Sequence, residues 1–214
     1  MRKFFSLTVM LFVFGLVSFA QYDNKALEIL DAMSSKYMAM NGFRAQFTYS
    51  IQNESSGIEE SLNGEITVQG EKYKLKLPNQ EIINNGTTVW TYLPEENEVN
   101  ISNYEPTEDE ITPSKIYTIY KKGYKYIFLE EKKEGGETYE IVDLIPEKKD
   151  QQIFKIRLEV NKKDKLIKKW KIFEKSGNRY EYLVTTFTPD IKVQDNFFAF
   201  DQSQYKGIEV VDLR

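Results

Sequence analysis

Adjacent acidic residues are the groups in this sequence whose type and spacing could perform acid–base chemistry. They occur at Glu59-Glu60, Glu95-Glu96, Glu108-Asp109-Glu110 and Glu130-Glu131. Two carboxylates placed on either side of a sugar are the machinery of glycoside hydrolysis. Neighbouring residues on a strand point to opposite faces, however, and acids in turns are usually solvated. We therefore predict no catalytic residue and keep a hydrolase only as an alternative.

Cysteine and histidine are both absent from the 214 residues. Without them the chain cannot build Ser-His-Asp or Cys-His nucleophilic sites, nor nearly all zinc, copper and haem sites. The formal net charge of −4 also argues against nucleic acid, because phosphate binding needs a basic surface. We expect no metal, no cofactor and no nucleic-acid partner. The sequence gives no sign of oligomerisation, so we expect a monomer.

Aromatic residues suggest binding instead of catalysis. The segment NNGTTVWTYL at 84–93 carries Trp90 and Tyr92 on one side of a strand, and Val89 and Leu93 on the other. The chain holds 14 Phe, 14 Tyr and 2 Trp. Aromatic side chains provide large contact area with few rotatable bonds, which suits a pocket for hydrocarbon, but they are also common in packed β cores. The composition leaves both interpretations open.

The first twenty residues have the pattern of a secretory signal peptide. Arg2 and Lys3 precede an apolar run from Phe4 to Val17, and Ser18-Phe19-Ala20 supplies small residues at the cleavage site. The run is too short and wrongly flanked for a membrane span. We predict cleavage after residue 20, export to the periplasm, and a single domain over residues 21–214.

The rest of the sequence predicts one helix followed by many strands. Apolar residues recur at the helical period from Asn24 to about Met40, where Asn41-Gly42 is a natural stop. From Gly42 onward the apolar residues alternate in period two, with turn signals at spacings of about ten residues, which indicates about eleven antiparallel strands. A sheet of that size curls strongly.

One segment interrupts the strands. Pro113 fits a first helical turn, Gly123 a stop, and Ile116, Ile119 and Tyr120 share one face of the short helix between them. We therefore predict a mainly β fold with α: a curved antiparallel sheet forming an unclosed half barrel, whose concave face is lidded by the N-terminal helix and this short inserted helix. The residues that we expect to line the concave hollow are Phe47, Ile66, Val68, Tyr73, Leu75, Leu77, Trp90 and Tyr92, with Ile116, Ile119 and Tyr120 as the lid.

Several segments resemble the LolA-type periplasmic lipoprotein carriers. They are GFRAQFTYS, GEITV, PNQEIINNGTTVWTYLPEENEVNI, ITPSKIYTIY and the closing DNFFAFDQSQYKGIEVVDL, in the order in which that family has them. The resemblance covers almost all of residues 21–214, and its most specific part runs from Pro78 to Pro94. It implies an unclosed β-barrel lidded by helices, whose hollow holds acyl chains.

The resemblance also implies a function and partners. LolA-like carriers take acylated lipoproteins from an inner-membrane ABC lipoprotein-releasing complex and deliver them to an acceptor at the outer membrane. This sequence departs from the family at Gln69-Gly70-Glu71, where carriers have a lid-latching arginine. Two alternatives therefore stay open beside the carrier: a periplasmic sensor or chaperone, and a carrier of another lipid, each on the same fold.

Overall fold

The computed structural model describes residues 23–105, 111–112, 114–194 and 196–214. The predicted signal peptide at 1–20, the acidic run at 108–110 and Pro113 lie outside these residues. The described elements are α1 (Asn24–Met38), β1 (Phe43–Asn53), β2 (Ile58–Gln69), β3 (Lys72–Leu77), β4 (Gln80–Asn84), β5 (Thr88–Leu93), β6 (Glu98–Asn103), β7 (Tyr124–Glu134), β8 (Glu137–Pro146), β9 (Ile153–Asn161), β10 (Ile167–Glu174), β11 (Arg179–Pro189) and β12 (Glu209–Asp212).

The described strands form one curved sheet that does not close into a barrel. Its order is β12-β6-β5-β4-β3-β2-β1-β11-β10-β9-β8-β7. Two meanders, β1 to β6 and β7 to β11, therefore lie side by side and are joined by the pairing of β1 with β11. The predicted unclosed, mainly β fold is confirmed. The sheet has twelve described strands where the sequence predicted about eleven, and β12, which pairs parallel to β6, is one that period-two patterning did not mark.

The strand register places alternate residues of the central strands on the concave face. Phe47 of β1 lies opposite Gly64 of β2, and Ala45 lies opposite Ile66. A Cβ at position 64 would stand 2.5 Å from the Phe47 ring, so only glycine lets the ring lie flat on β2. The GEITV segment thus begins with a glycine because of a side chain on the neighbouring strand.

Helix α1 is fixed to the sheet at its N-terminus by charged groups. Asp23 is the N-cap: its Oδ1 accepts from the backbone N–H groups of Lys25 and Ala26, and its Oδ2 accepts from the N–H of Phe128 on β7 at 2.8 Å. Glu140 of β8, 1% exposed, bonds Lys25 at 3.2 Å and Lys165 at 2.6 Å. The predicted start of the helix is correct, and the helix ends at Met38, two residues before the predicted Met40.

The inserted segment is not the regular helix that the sequence predicted. Residues 114–118 form consecutive turns, and a 3-10 helix spans Ile119–Lys121. Its backbone bonds join residues three apart, as in Thr118 N to Lys115 O at 2.8 Å, and the Thr118 hydroxyl donates to the same carbonyl. β-Branched residues and hydroxyls that bond the backbone disfavour α-helix, which explains the tighter turns.

A second apolar core lies on the convex face. Ile83 and Val99 are 1% and 0% exposed there, and they lie beside Trp90 and Tyr92 in the register of β4, β5 and β6. The C-terminal segment covers this face: Phe198 is 4% exposed, and the rings of Phe200 and Tyr205 lie 6.0 and 4.6 Å from that of Tyr92. The second apolar side of the strand at 84–93 therefore packs against the chain's own C-terminal residues.

Candidate ligand-binding cavity

Helix α1 covers only part of the concave face. Its buried side is formed by Ala26, Ile29, Leu30, Met33, Ser34 and Tyr37. All of these except Ser34 share one core with buried residues of β8 and β9 such as Val142, Leu144, Ile156 and Leu158. Toward β1 and β11 the helix contributes Tyr37, whose ring packs against Phe43 and Phe187, and beside it β1, β2, β3, β10 and β11 enclose a hollow.

The hollow is a cavity of about 540 Å³. This volume lies within the usual range of about 300–1,000 Å³ for small-molecule sites. Aromatic and aliphatic side chains dominate its wall, and Glu60, Asn79, Gln80 and Thr112 are the non-aromatic polar residues among them. The wall consists of Tyr37, Phe43, Ala45, Phe47, Tyr49, Ile51, Glu60, Leu62, Ile66, Leu75, Leu77, Asn79, Gln80, Ile111, Thr112, Ile116, Ile167, Trp170, Ile172, Tyr182, Val184 and Phe187.

The structure brings five of the eleven predicted site residues to this wall. Phe47, Ile66, Leu75 and Leu77 line it from β1, β2 and β3, and Ile116 lines it from the inserted segment. These residues share the face that the period-two pattern assigned to the concave side. Their apolar side chains offer a hydrocarbon surface and no reactive group.

The other six predicted residues lie elsewhere. Val68 and Tyr73, which pair across β2 and β3, belong to the buried core beyond the cavity wall. Trp90 and Tyr92 lie on the convex face, because the register pairs Trp90 with Ile83 and Tyr92 with Glu81, not with the concave set. A strand with large apolar groups on both sides does not reveal which side is concave, and here the aromatic side proved to be the convex one.

Ile119 and Tyr120 are not among the described residues that line the hollow. Tyr120 is buried and its hydroxyl donates to the Asp31 carboxylate, while Ile119 packs at the edge of the core. Tyr117 of the same segment stacks on Tyr37 with ring centroids 4.9 Å apart. One hydrogen bond and one ring stack with helix α1 therefore hold the inserted segment at 114–121, the covering segment, over the cavity.

Sequence reasoning did not name the wall that β10 and β11 provide. Trp170 and Tyr182 stack with ring centroids 4.6 Å apart, and Tyr182 also lies 4.9 Å from Tyr49 of β1. Tyr180, Tyr182 and Val184 do alternate in the sequence, which marked a strand. The alternation carries no signal that β11 pairs with β1, and that pairing brings these side chains to the cavity.

The tyrosines of the wall remain uncharged. Burial raises the pKa of Tyr182 to about 12, with the nearby Tyr49 and Tyr180 adding to the effect. Burial also raises the pKa of Tyr117 and, most strongly, that of Tyr37, whose hydroxyl accepts a bond from the backbone N–H of Ile167 at 3.1 Å. The phenols are therefore neutral at physiological pH, and the interior suits an uncharged ligand.

The paired acids do not converge in the described part of the chain. Glu59 and Glu60 face opposite sides of β2, since their partners are Gln52 and Ile51. Glu131 of β7 bonds Lys162 at the surface, and Glu95-Glu96 lies in the exposed turn between β5 and β6.

Over the described residues, no group of three acidic, histidine or cysteine side chains could hold a metal ion. Nor do those residues include a helix that is long and apolar enough to cross a membrane.

The residues that build the cavity fall within a match to a known family. The family model described as "Outer membrane lipoprotein carrier protein LolA" matches residues 39–201. This chain belongs to the LolA family. The match covers strands β1 to β11 and the covering segment, so every wall residue except Tyr37 lies inside the LolA region.

Solved structures share the LolA-type architecture of the chain at low sequence identity. An uncharacterised conserved protein from Thermus thermophilus superposes with a TM-score of 0.59 at 14% identity, covering 88% of this chain and 99% of that one. LprF from Mycobacterium bovis gives 0.50 at 11%, covering 80% and 96%. The Pseudomonas aeruginosa MucA/MucB complex structure gives 0.50 at 14%, covering 83% and 61%. Among curated protein sequences, none matches the chain. At these identities the structures establish the fold alone.

Proposed function

We propose that this protein is a periplasmic carrier that binds the acyl chains of lipoproteins in its cavity and moves them from the inner to the outer membrane. The apolar hollow of about 540 Å³ carries the proposal, because the sheet encloses space that its own side chains do not fill. Membership of the LolA family supports it. This function requires no catalytic group, because a carrier moves its ligand between the two membranes without making or breaking a covalent bond.

Burial of hydrocarbon supplies the affinity. Each CH₂ removed from water contributes about 0.8 kcal/mol, so two or three long chains would bind too tightly to be released. A covering segment that must move on binding offsets part of that gain. In this chain the segment is held by the Tyr120–Asp31 hydrogen bond and the stacking of Tyr117 on Tyr37. We assign these contacts the closing role that an arginine has in other carriers.

The proposed partners follow from the route. An inner-membrane ABC lipoprotein-releasing complex would load the acyl chains, and an outer-membrane acceptor would receive them. The predicted signal peptide at 1–20 would place the protein between the two membranes. The protein would act as a monomer, because one sheet encloses the whole cavity.

One observation favours a second candidate, a sensor or a carrier of another lipid. The β2–β3 turn reads Gln69-Gly70-Glu71, and Gly70 and Glu71 are exposed there. With no arginine at this turn, the coupling of the covering segment to a loading machine would differ from that of other carriers. The same cavity could then report a bound acyl chain instead of delivering it.

Mass spectrometry of protein purified from its native compartment tests the proposal. We expect acylated peptides or lipoproteins in the extract, and a cavity that is empty or holds only other lipids would contradict the carrier. Depletion separates the candidates. Loss of a carrier leaves lipoproteins in the inner membrane, whereas loss of a sensor alters a stress response and leaves lipoprotein sorting unchanged.

A further inference from the structure

The cavity has a closed end and an open end. Along β1, Phe43, Ala45 and Phe47 are 5–7% exposed, whereas Tyr49 and Ile51 are only half-buried. Along β2, burial falls in the same direction, from buried Ile66 to exposed Glu60. A bound amphiphile would therefore place its hydrocarbon near Phe43 and its polar end near Glu60.

The open end is acidic. Glu60 contributes to the wall there and is the one charged side chain among the described residues that line the cavity, while Asn79 and Gln80 line it at the β3–β4 turn, beside Leu77 and Gly64. Burial raises the pKa of the neighbouring Tyr49, and the nearby Tyr180, Glu60 and Glu174 raise it further. The carboxylates of Glu60 and Glu174 therefore both lie near Tyr49 at the open end.

The basic side chains next to this end are engaged away from it. Arg179 donates to the Glu174 carbonyl at 2.9 Å, and its guanidinium lies 5.2 Å from the centre of the Phe173 ring. Lys171 of β10 contacts Glu181 of β11 at 3.6 Å. Both residues alternate with the wall residues of their strands and so lie on the convex face. An anionic group at the open end would meet the carboxylates of Glu60 and Glu174, with no cation from the described wall to balance it.

We propose that Glu60, at the open end, makes the cavity selective for acylated ligands whose polar end is uncharged or cationic. This inference rests on the proposed function and names the ligand class more closely. An acylated amino-terminal residue presents uncharged amide and ester groups at its polar end, and these bring no anion against Glu60. A phospholipid or a fatty acid would bring an anion against Glu60, so the acidic end favours the cargo over anionic membrane lipids.

Displacement of a fluorescent long-chain acyl amide tests the selectivity. The competitors are hexadecanamide, hexadecylamine and hexadecyl phosphate, which share one chain length and differ in charge. We expect the phosphate to bind about fivefold more weakly than the amide, the ratio that an exposed charge contact of about 1 kcal/mol produces. Raised salt should narrow the gap, because it screens exposed charges.

Glu60→Gln should remove the discrimination, and Glu60→Lys should reverse it in favour of the phosphate. Glu59→Gln is the matched control: it removes the same charge from the opposite face of β2 and should leave the ranking unchanged. Equal binding of all three competitors, or equal effects of the two Gln variants, would overturn the selectivity and leave the carrier standing. If neither the fluorescent amide nor any competitor binds, the proposed function itself fails.

Discussion

Both faces of the sheet are apolar, but only one of them is filled by the chain itself. On the convex face, the rings of Phe200 and Tyr205 pack against Tyr92, and the side chains of Phe198, Ile83 and Val99 are 0–4% exposed. On the concave face, α1 occupies the part over β8 and β9 and leaves about 540 Å³ beside β1 and β11. The same alternating strands thus build a packed core on one side and a container on the other. What distinguishes them is the segment that covers each side, not the composition of the strands.

The largest effect should come from truncating the residue that fills the convex core. Phe198→Ala removes a ring that is 4% exposed and leaves a cavity in its place, so we expect the free energy of unfolding to fall by about 3–5 kcal/mol. Urea unfolding measures the loss. Affinity for the acyl amide should stay unchanged in the folded fraction, and a matching loss of binding would show that the two faces are not independent.

Adding the same ring to each face of the sheet should distinguish the packed convex core from the concave cavity most clearly. Val99→Phe overfills a side chain that is 0% exposed, and we expect it to cost about 1–3 kcal/mol of stability. Val184→Phe adds the same ring to the cavity wall, where space exists, and should cost less than about 0.5 kcal/mol. Titration with the acyl amide should show the opposite ranking, with binding weakened in Val184→Phe alone. Equal destabilisation by both changes would mean that the hollow is not vacant.

Tyr120→Phe should loosen the cover of the cavity. The change deletes the hydroxyl that bonds Asp31 and leaves the ring in place. A hydrogen bond to a charged group contributes about 1.5 kcal/mol or more, so we expect a loss of about that size and faster exchange of the acyl amide in stopped-flow measurements. Tyr92→Phe, which deletes a hydroxyl on the convex face of β5, is the matched control. Unchanged exchange in Tyr120→Phe would remove this bond from the closing role.

The smallest effect concerns the cap of α1. Burial raises the pKa of Asp23, but the backbone N–H groups of Phe128, Ala26 and Lys25 together outweigh it and lower the pKa below 3.8. A lowered pKa in the folded state stabilises the protein above pH 3.8, and the contribution disappears as the pH falls through the folded value. Asp23→Ala should cost about 1 kcal/mol at neutral pH and progressively less below pH 3.8. Glu28→Ala, a change at an exposed position of the same helix, is the control. Its effect on stability, measured by urea titration, should not shrink in this way as the pH falls.

Local sequence patterns predicted the helix and the strands better than they predicted which segments pack against each of them. Period two placed Phe47, Ile66, Leu75 and Leu77 on one face, and the structure puts all four on the cavity wall. The same rule could not decide which side of β5 is concave, because Trp90 and Val89 are both apolar. That choice depends on which distant segment covers each side, and the segment at Phe198 lies about a hundred residues further along the chain.

The contribution of β11 to the site was hidden for the same reason. Tyr182 and Val184 reach the cavity only because β11 pairs with β1, a contact between strands near the two ends of the described chain. No local signal specifies such a pairing. The sequence also predicted a regular helix where the inserted segment forms tight turns. The Thr118 hydroxyl bond that favours those turns depends on side-chain geometry, which the apolar pattern does not report.

The pairing of β1 with β11 also has a consequence for the order of folding. Phe43 meets Pro189 across that ladder, so one wall of the container cannot form until nearly all of the sequence is present. Contacts between such distant segments slow folding, because the intervening chain must first be brought together. We expect the two meanders to form early and to join last, so that the seam between them sets the time at which a newly made molecule becomes able to accept a lipid.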